Sequence, residues 1–315
     1  MSISIAILGA TSQLATDLIR SMAKAGRGEQ LFLFARRPEA VEAWLKANEL
    51  TGRFPVADYA GFGDNDYDAI INFVGIGDPA RAAAMGAEIF DLTLQYDQLV
   101  LDYLQGNPTC RYLFLSSGAA YGGNFDEPAQ RTSKATVTLN DLSRQEWYGV
   151  AKLHAECRHR SLADNSIIDI RVFNYFSRTQ NPAARFLLTD IVRSLRDGTV
   201  LQTRPDYIVR DYLHPADFHN LVCALLSSPP ANDAVDCYSL APVDKPTLLD
   251  EMQRAFGLRY ELTEARNAIN ATGTKPHYYS LNRRAADFGY APTRTSLDGV
   301  IEETRAMLDK WQVPK

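Results

Sequence analysis

Apolar residues in the first half of the chain fall into short unbroken runs separated by stretches with helical spacing, and that alternation predicts a parallel sheet covered by helices. Ile3 to Leu8 is a run rich in β-branched residues, Gly9-Ala10-Thr11-Ser12-Gln13 a turn, Leu14 to Ala25 an amphipathic helix, and Leu31 to Ala35 a second run. Strand, turn, helix and strand in that order make a βαβ unit, whose strands lie parallel. The pattern then repeats. Val41 to Ala47 predicts a short helix, Phe54 to Ala57 an edge strand, Ala69 to Val74 a buried strand, Met85 to Leu104 a long helix and Tyr112 to Ser116 another buried strand. After an irregular stretch with Gly122, Gly123 and Pro128 comes a helix through Glu146 to Glu156, then an apolar run from Ile167 to Phe173. Six or so strands with interleaved helices fit a doubly wound α/β sheet.

Beyond Asn174 the alternation breaks down. Phe186 to Leu195, Ala216 to Leu226, Thr247 to Phe256 and Leu297 to Trp311 read as helices, and Thr199 to Gln202 and Asp236 to Leu240 as strands. No internal repeat or low-complexity linker divides the chain, so the second half reads as a smaller α+β lobe laid across the strand ends.

Composition narrows the class without changing this picture. Apolar residues make up 46% and charged residues 23%, ordinary values for a globular protein. Thirty-three basic against 38 acidic residues give a net charge of −5 with no clustered basic footprint, which argues against a nucleic-acid partner. Cys110, Cys157, Cys223 and Cys237 are scattered, with no CxxC pair, and read as reduced thilos of a cytoplasmic protein. His154 and His159 lie five apart on one helix and diverge, so no zinc pair is expected there. The N-terminus lacks the basic start of a signal peptide, and no apolar run is long enough to span a bilayer.

Candidate chemistry sits at the strand ends. Gly9 to Ala15 occupies the first strand-to-helix turn, where backbone amides at a helix N-terminus can hold a pyrophosphate; a plain tight turn fits the same residues, because Ser12 and Ala15 replace two fingerprint glycines. The second strand ends in Ala35-Arg36-Arg37 instead of an acidic residue. Paired guanidiniums there suit the 2′-phosphate of NADP(H), with NAD(H) the alternative and two solvated arginines the bland one. Leu115-Ser116-Ser117-Gly118 would carry the Ser117 hydroxyl into the crevice beyond the sheet. Tyr148 and Lys152 are four apart on a helix, so phenol and ammonium share a face, and a nearby cation favours the phenolate. The same spacing also fits an ordinary half-buried aromatic and a solvated lysine.

Taken together and in order, these residues resemble an extended short-chain dehydrogenase/reductase of the nucleotide-sugar epimerase/dehydratase/reductase branch. The resemblance spans nearly the whole chain. It rests on the Gly9 turn, Ser116-Ser117 with Tyr121-Gly122, Tyr148-x-x-x-Lys152, Arg171-Val172-Phe173-Asn174, Arg210 to Asp217, and Phe288-Gly289-Tyr290-Ala291-Pro292 before the last helix. It implies a Rossmann domain over 1–173, with 210–240 returning to it, and a substrate lobe from 174–209 and 241–315. It further implies Tyr148 as proton donor-acceptor, Lys152 holding the nicotinamide ribose and lowering the Tyr148 pKa, and Ser117 bonding the substrate oxygen. Gly9, Thr11, Ser12, Gln13, Leu14, Arg36, Arg37, Asp58, Tyr59, Val74 and Gly75 would bind the cofactor together with Tyr148 and Lys152. Asn174 and Arg210 would hold a nucleotide-diphosphate sugar, although Arg210-Asp211 also fits a structural ion pair. Tyr121, Tyr175 and Tyr212 would line the sugar or base pocket or else belong to the core. A homodimer through the Tyr148 helix is carried over from the same resemblance.

One departure matters. Dehydratases of this branch place an Asp-Glu pair directly after the strand-end hydroxyl, where this chain has Gly118-Ala119, so dehydration is not expected. The arginine pair then favours NADP(H)-linked reduction of a 4-keto nucleotide sugar over 4-epimerisation with a recycled cofactor. Reduction of a non-sugar carbonyl and a non-catalytic dinucleotide-binding regulator are the other readings. No metal is expected.

Overall fold

The computed structural model describes residues 3–77, 82, 84–263 and 275–312. In chain order the regular elements begin with β1 (Ser4–Leu8), α1 (Gln13–Ala25), β2 (Gln30–Phe34), α2 (Pro38–Ala47), β3 (Val56–Ala57) and β4 (Ala69–Asn72). They continue with α3 (Glu88–Gly106), β5 (Arg111–Ser117), α4 (Arg144–Ser161), β6 (Ile167–Val172) and β7 (Asn174–Tyr175). Then come α5 (Leu187–Asp197), β8 (Leu201–Thr203), β9 (Val209–Arg210), β10 (Tyr212–Leu213), α6 (Pro215–Ser227) and β11 (Asp233–Asp236). The chain closes with β12 (Val243–Asp244), α7 (Lys245–Phe256), β13 (Tyr260–Leu262), β14 (His277–Tyr278) and α8 (Ser296–Gln312).

Seven strands form one parallel sheet in the order β11-β6-β5-β4-β1-β2-β3, a Rossmann-like α/β fold. The order reverses between β1 and β4, and in open α/β sheets the crevice beyond the strand ends at that reversal is where ligands bind. Alternate side chains of β1 supply two cores. Ile5 and Ile7 pack in one cluster with Leu18, Ile19, Phe218 and Leu221, while Ala6 and Leu8 pack in the other with Val100, Leu104, Tyr112 and Phe114. Burial on both faces is why the strand sequences read as unbroken apolar runs. Phe176, Leu188, Ile191, Val192, Leu248, Met252 and Met307 make a third core.

One strand expected from the sequence lies elsewhere. The run Asp236 to Leu240 is not the seventh strand; Asp233–Asp236 is. Beyond Cys237 the ladder ends because the Ser239 amide is taken by the Asp211 carboxylate and the Leu240 amide by the Arg294 carbonyl. The true strand, Asp-Ala-Val-Asp, carries polar residues at both ends because Asp236 is buried as an acceptor for Tyr121, Ser280 and Arg171. Among the described residues, no helix is long and apolar enough to cross a membrane.

α3, β6 and α4 share a buried ionic cluster on one side of the sheet. His159, Asp97 and Asp169 are each fully buried. The imidazole meets Asp169 through Nδ1 at 2.6 Å and Asp97 through Nε2 at 2.7 Å. Burial pulls the His159 pKa down, but the bonds to the two carboxylates outweigh it and hold it at about 9. A folded pKa raised above the unfolded value of 6.5 contributes stability that is complete below about 6.5 and is lost as pH rises through about 9. Melting temperature measured from pH 6 to pH 10 should therefore fall across that window in the wild type and stay flatter in His159→Gln. The contribution is on the order of 3 kcal/mol.

Candidate active site

The crevice at the sheet reversal opens into a cavity of about 1800 Å³ that runs from the β1 turn to the lobe built on α5 and β8. That is room for a dinucleotide and a second nucleotide-sized ligand, since drug-sized pockets are roughly 300–1000 Å³. Its floor is the β1–α1 turn. Gly9 has φ +76°, and a Cβ on it would lie 2.9 Å from the Phe73 and Val74 backbone, so the turn can pass under the β4 exit only with glycine there. Ser12 caps α1 by accepting from the Ala15 amide, and the first turn of α1 contains no acidic residue. That leaves a helix N-terminus electrostatically fitted to an anion. Thr11, Gln13, Leu14, Val74 and Gly75 line the same floor.

The Tyr59 hydroxyl accepts from the Gly9 amide at 3.2 Å, and its ring centre lies 4.5 Å from that of Tyr96. Burial raises its pKa to about 12. Arg36 and Arg37 stand exposed at the cavity rim beyond β2, and among the described residues no carboxylate pairs with either. Asp58, expected beside them, stays outside the lining and caps the following turn by accepting from the Ala60 amide.

The reacting end is assembled by β5 and α4. Ser117, the last residue of β5, is buried, accepts from the Ala119 amide at 3.1 Å, and lines the cavity together with Tyr148. α4 is started by Ser143, whose backbone amide donates to the Glu146 carboxylate at 2.9 Å, and this sets Tyr148 one turn in. Gly149 lets the helix close on the turn after β5, because a Cβ there would sit 2.5 Å from the Ala119 carbonyl oxygen. Lys152 is buried, donates to the Leu115 carbonyl at 2.7 Å and lies 4.3 Å from the Phe114 ring centre. Burial lowers its pKa to about 8, while Asp97, Asp169 and Glu156 favour its charge.

Here the structure corrects one expectation. Lys152 does not lower the Tyr148 pKa in this arrangement. The ammonium is turned to Leu115, 5.9 Å from the Tyr148 ring centre, and burial together with nearby Tyr278 pushes the phenol above its ordinary value. Tyr148 is therefore protonated at neutral pH.

Tyr121 is the second correction. It does not line the cavity; it is buried beneath the site, where its hydroxyl accepts from Arg171 at 2.8 Å and donates to Asp236 at 3.0 Å. Tyr175 and Tyr212 do line it. Arg210 and Asp211 are not an ion pair with each other. As neighbours around strand ends they point apart, Arg210 donating to the Val209 carbonyl and Asp211 accepting from Ser239 and Ser296. Asn174 lines the cavity and donates to the Tyr278 carbonyl at 3.1 Å.

Two residues at the site were not singled out by sequence reasoning. Tyr278 is buried with its hydroxyl 3.4 Å from that of Ser117, and Lys275 lies 5.0 Å from the Tyr278 ring centre. Both line the cavity. They lie over 150 residues from Ser117 in a segment without periodicity, so only the run Tyr278-Tyr279-Ser280 marked the place. Farther off, His214, Glu302 and Glu303 cluster at metal-ligand spacing, but Arg178 grips Glu303 and Arg294 grips Glu302.

A model of the NAD dependent epimerase/dehydratase family matches residues 5–241, well over half of the chain. The chain belongs to that family. It is thus an NAD-dependent enzyme of the extended short-chain dehydrogenase/reductase kind, as its motif order resembled. Solved structures share the fold. A UDP-glucuronic acid 4-epimerase from Bacillus cereus in complex with UDP-glucuronic acid and NAD is 15% identical, with 98% of this chain and 100% of that one covered and a TM-score of 0.76. A dTDP-glucose 4,6-dehydratase from Bacillus anthracis str. Ames in complex with NAD is 14% identical, covers 99% and 98%, and scores 0.77. The epimerase Mth375 from Methanothermobacter thermautotrophicus is 16% identical, covers 99% and 94%, and scores 0.79. No curated protein matches the sequence.

Proposed function

We propose that this family member is an NADP(H)-linked oxidoreductase of a nucleotide-diphosphate sugar, reducing a 4-keto group with Tyr148 as proton donor. The observation that carries the reading is the convergence of Ser117, Tyr148 and Lys152 on the wall of the cavity whose floor is the Gly9 turn. The α1 N-terminus, free of acidic residues, and the two exposed guanidiniums fit a dinucleotide with a 2′-phosphate. When bound, such a cofactor supplies hydride at its nicotinamide C4. The chain's own part is to hold the sugar carbonyl against the Ser117 hydroxyl and to pass the Tyr148 proton to the carbonyl oxygen. Arg210 and Asn174, deeper in the same cavity, suit the diphosphate.

Dehydration is disfavoured for a steric as well as a chemical reason. A Cβ on Gly118 would meet the Phe173 ring at 2.4 Å, so the position after Ser117 has no room for a carboxylate. A second reading, 4-epimerisation with retained NAD, is favoured by similar folds described as 4-epimerases holding NAD. Incubation of the pure protein with NADPH or NADH and a panel of 4-keto and ordinary nucleotide sugars separates the two. Net consumption of NADPH by 4-keto sugars alone supports reduction. Interconversion of sugars without added cofactor supports epimerisation, and turnover of neither class overturns both.

A further inference from the structure

Lys275 lines the cavity half-buried, with its ammonium 5.0 Å from the ring centres of both Phe125 and Tyr278. Among the described residues no carboxylate, carbonyl or hydroxyl bonds to it. Four acids line the same cavity among those residues, and each is engaged elsewhere: Glu146 by the Ser143 amide and hydroxyl, Asp190 by Arg193, Asp197 by Arg196 and Asp206 by Lys245. The Phe125 backbone takes φ +54°, a left-handed conformation that bulky side chains rarely adopt, and its carbonyl accepts from the His277 amide at 2.9 Å. That bond fixes β14, which carries Tyr278, against the loop after Tyr121, and the Phe125 and Tyr278 rings meet edge to face with centres 4.9 Å apart. An ammonium drawn from water with no acid beside it is costly, and aromatic faces return only part of the loss.

We propose that Lys275 is a specificity-determining residue whose ammonium receives a carboxylate on the sugar, so that the substrate is an acidic nucleotide sugar. This rests on the proposed function, which puts the reacting oxygen at Ser117. Tyr278 joins the two places, because its hydroxyl is 3.4 Å from that of Ser117 while its ring carries the Lys275 ammonium. A tyrosine side chain is comparable in length to a hexose, so an acid at C6 reaches the ammonium while C4 stays at the hydroxyls. Arg210, whose guanidinium carbon is 5.9 Å from the same ring centre, is the group proposed for the diphosphate, which leaves Lys275 for a second anion. A carboxylate there makes a charge-assisted bond away from bulk water, whereas a neutral hydroxymethyl group leaves the cation covered and unpaired.

Calorimetry on the full chain tests this with two pairs of nucleotide sugars, one on uridine and one on thymidine diphosphate, each pair differing only in a carboxylate or a hydroxymethyl group at C6. The wild type should bind the acid about tenfold or more tighter than its neutral partner. Lys275→Met keeps an unbranched chain between Phe125 and Tyr278 and should bring that ratio close to one, while Lys275→Arg should keep most of it. The melting temperature of Lys275→Met should hold or rise, because no bond within the protein goes with the charge. Equal binding of acid and neutral sugar by the wild type, or a preference that survives Lys275→Met, overturns the inference and leaves the proposed function standing. An equal loss in Lys275→Met for both sugars and for the bare nucleoside diphosphate also overturns it, by giving Lys275 to the diphosphate. Binding of none of the four sugars fells the nucleotide-sugar reading and this inference with it.

Discussion

Tyr148→Phe should cut turnover by about 10²–10⁴-fold while leaving NADPH binding and the melting temperature nearly unchanged. Phenylalanine keeps the ring that forms part of the cavity wall and removes only the phenolic hydroxyl. Because burial holds that phenol protonated, the group lost is, under the proposed function, the acid that a carbonyl oxygen needs as hydride arrives. The direction of the shift adds a second reading of the same experiment. With the phenol's pKa raised, reduction by the wild type should persist through mildly alkaline pH, whereas oxidation of a carbinol would call on the phenolate, which burial disfavours. Monitoring reduced nicotinamide over a pH series in both directions checks this. Undiminished turnover in the variant would remove Tyr148 from the chemistry and return the regulator reading.

Gly149→Ala should be nearly as severe although it touches no ligand. The added carbon would lie 2.5 Å from the Ala119 carbonyl oxygen, which is backbone and cannot swing aside. Either α4 moves off the turn or the turn moves off the end of β5, and both carry Tyr148 away from Ser117. Overpacking of this kind costs about 1–3 kcal/mol in stability. A displacement on the order of 1 Å at a reacting group can cost about 10²-fold in rate. Expected, then, is a modest fall in melting temperature with a large fall in kcat. A variant of unchanged kcat would mean that the Ser117–Tyr148 spacing is not the quantity the helix contact protects.

Much of the arrangement was legible because it is local. The β1 turn, the Ser117 strand end and the Tyr148-Lys152 spacing each lie within a few residues, and the backbone geometry of strand and helix fixes where such residues point. Buried parallel strands read as apolar runs, which is why Asp233–Asp236 was missed. Its ends are paid in hydrogen bonds to Tyr121, Ser280 and Arg284 from distant segments, and no window of sequence contains them.

By itself the sequence determined the parallel α/β fold, the position of the phosphate-fitting turn, the order of the hydroxyl, phenol and lysine, and the absence of an acid after Ser117. Periodicity and steric preference act over short range, so these needed no partner from elsewhere in the chain. Only the tertiary structure decided which way charge lies around them. It turned Lys152 to the Leu115 carbonyl, sank Tyr121 into a network with Arg171 and Asp236, brought Tyr278 to Ser117 across the lobe, and set Asp97 and Asp169 around His159. Electrostatic environment depends on burial and on groups tens of residues apart, and both exist only once the chain has closed on itself.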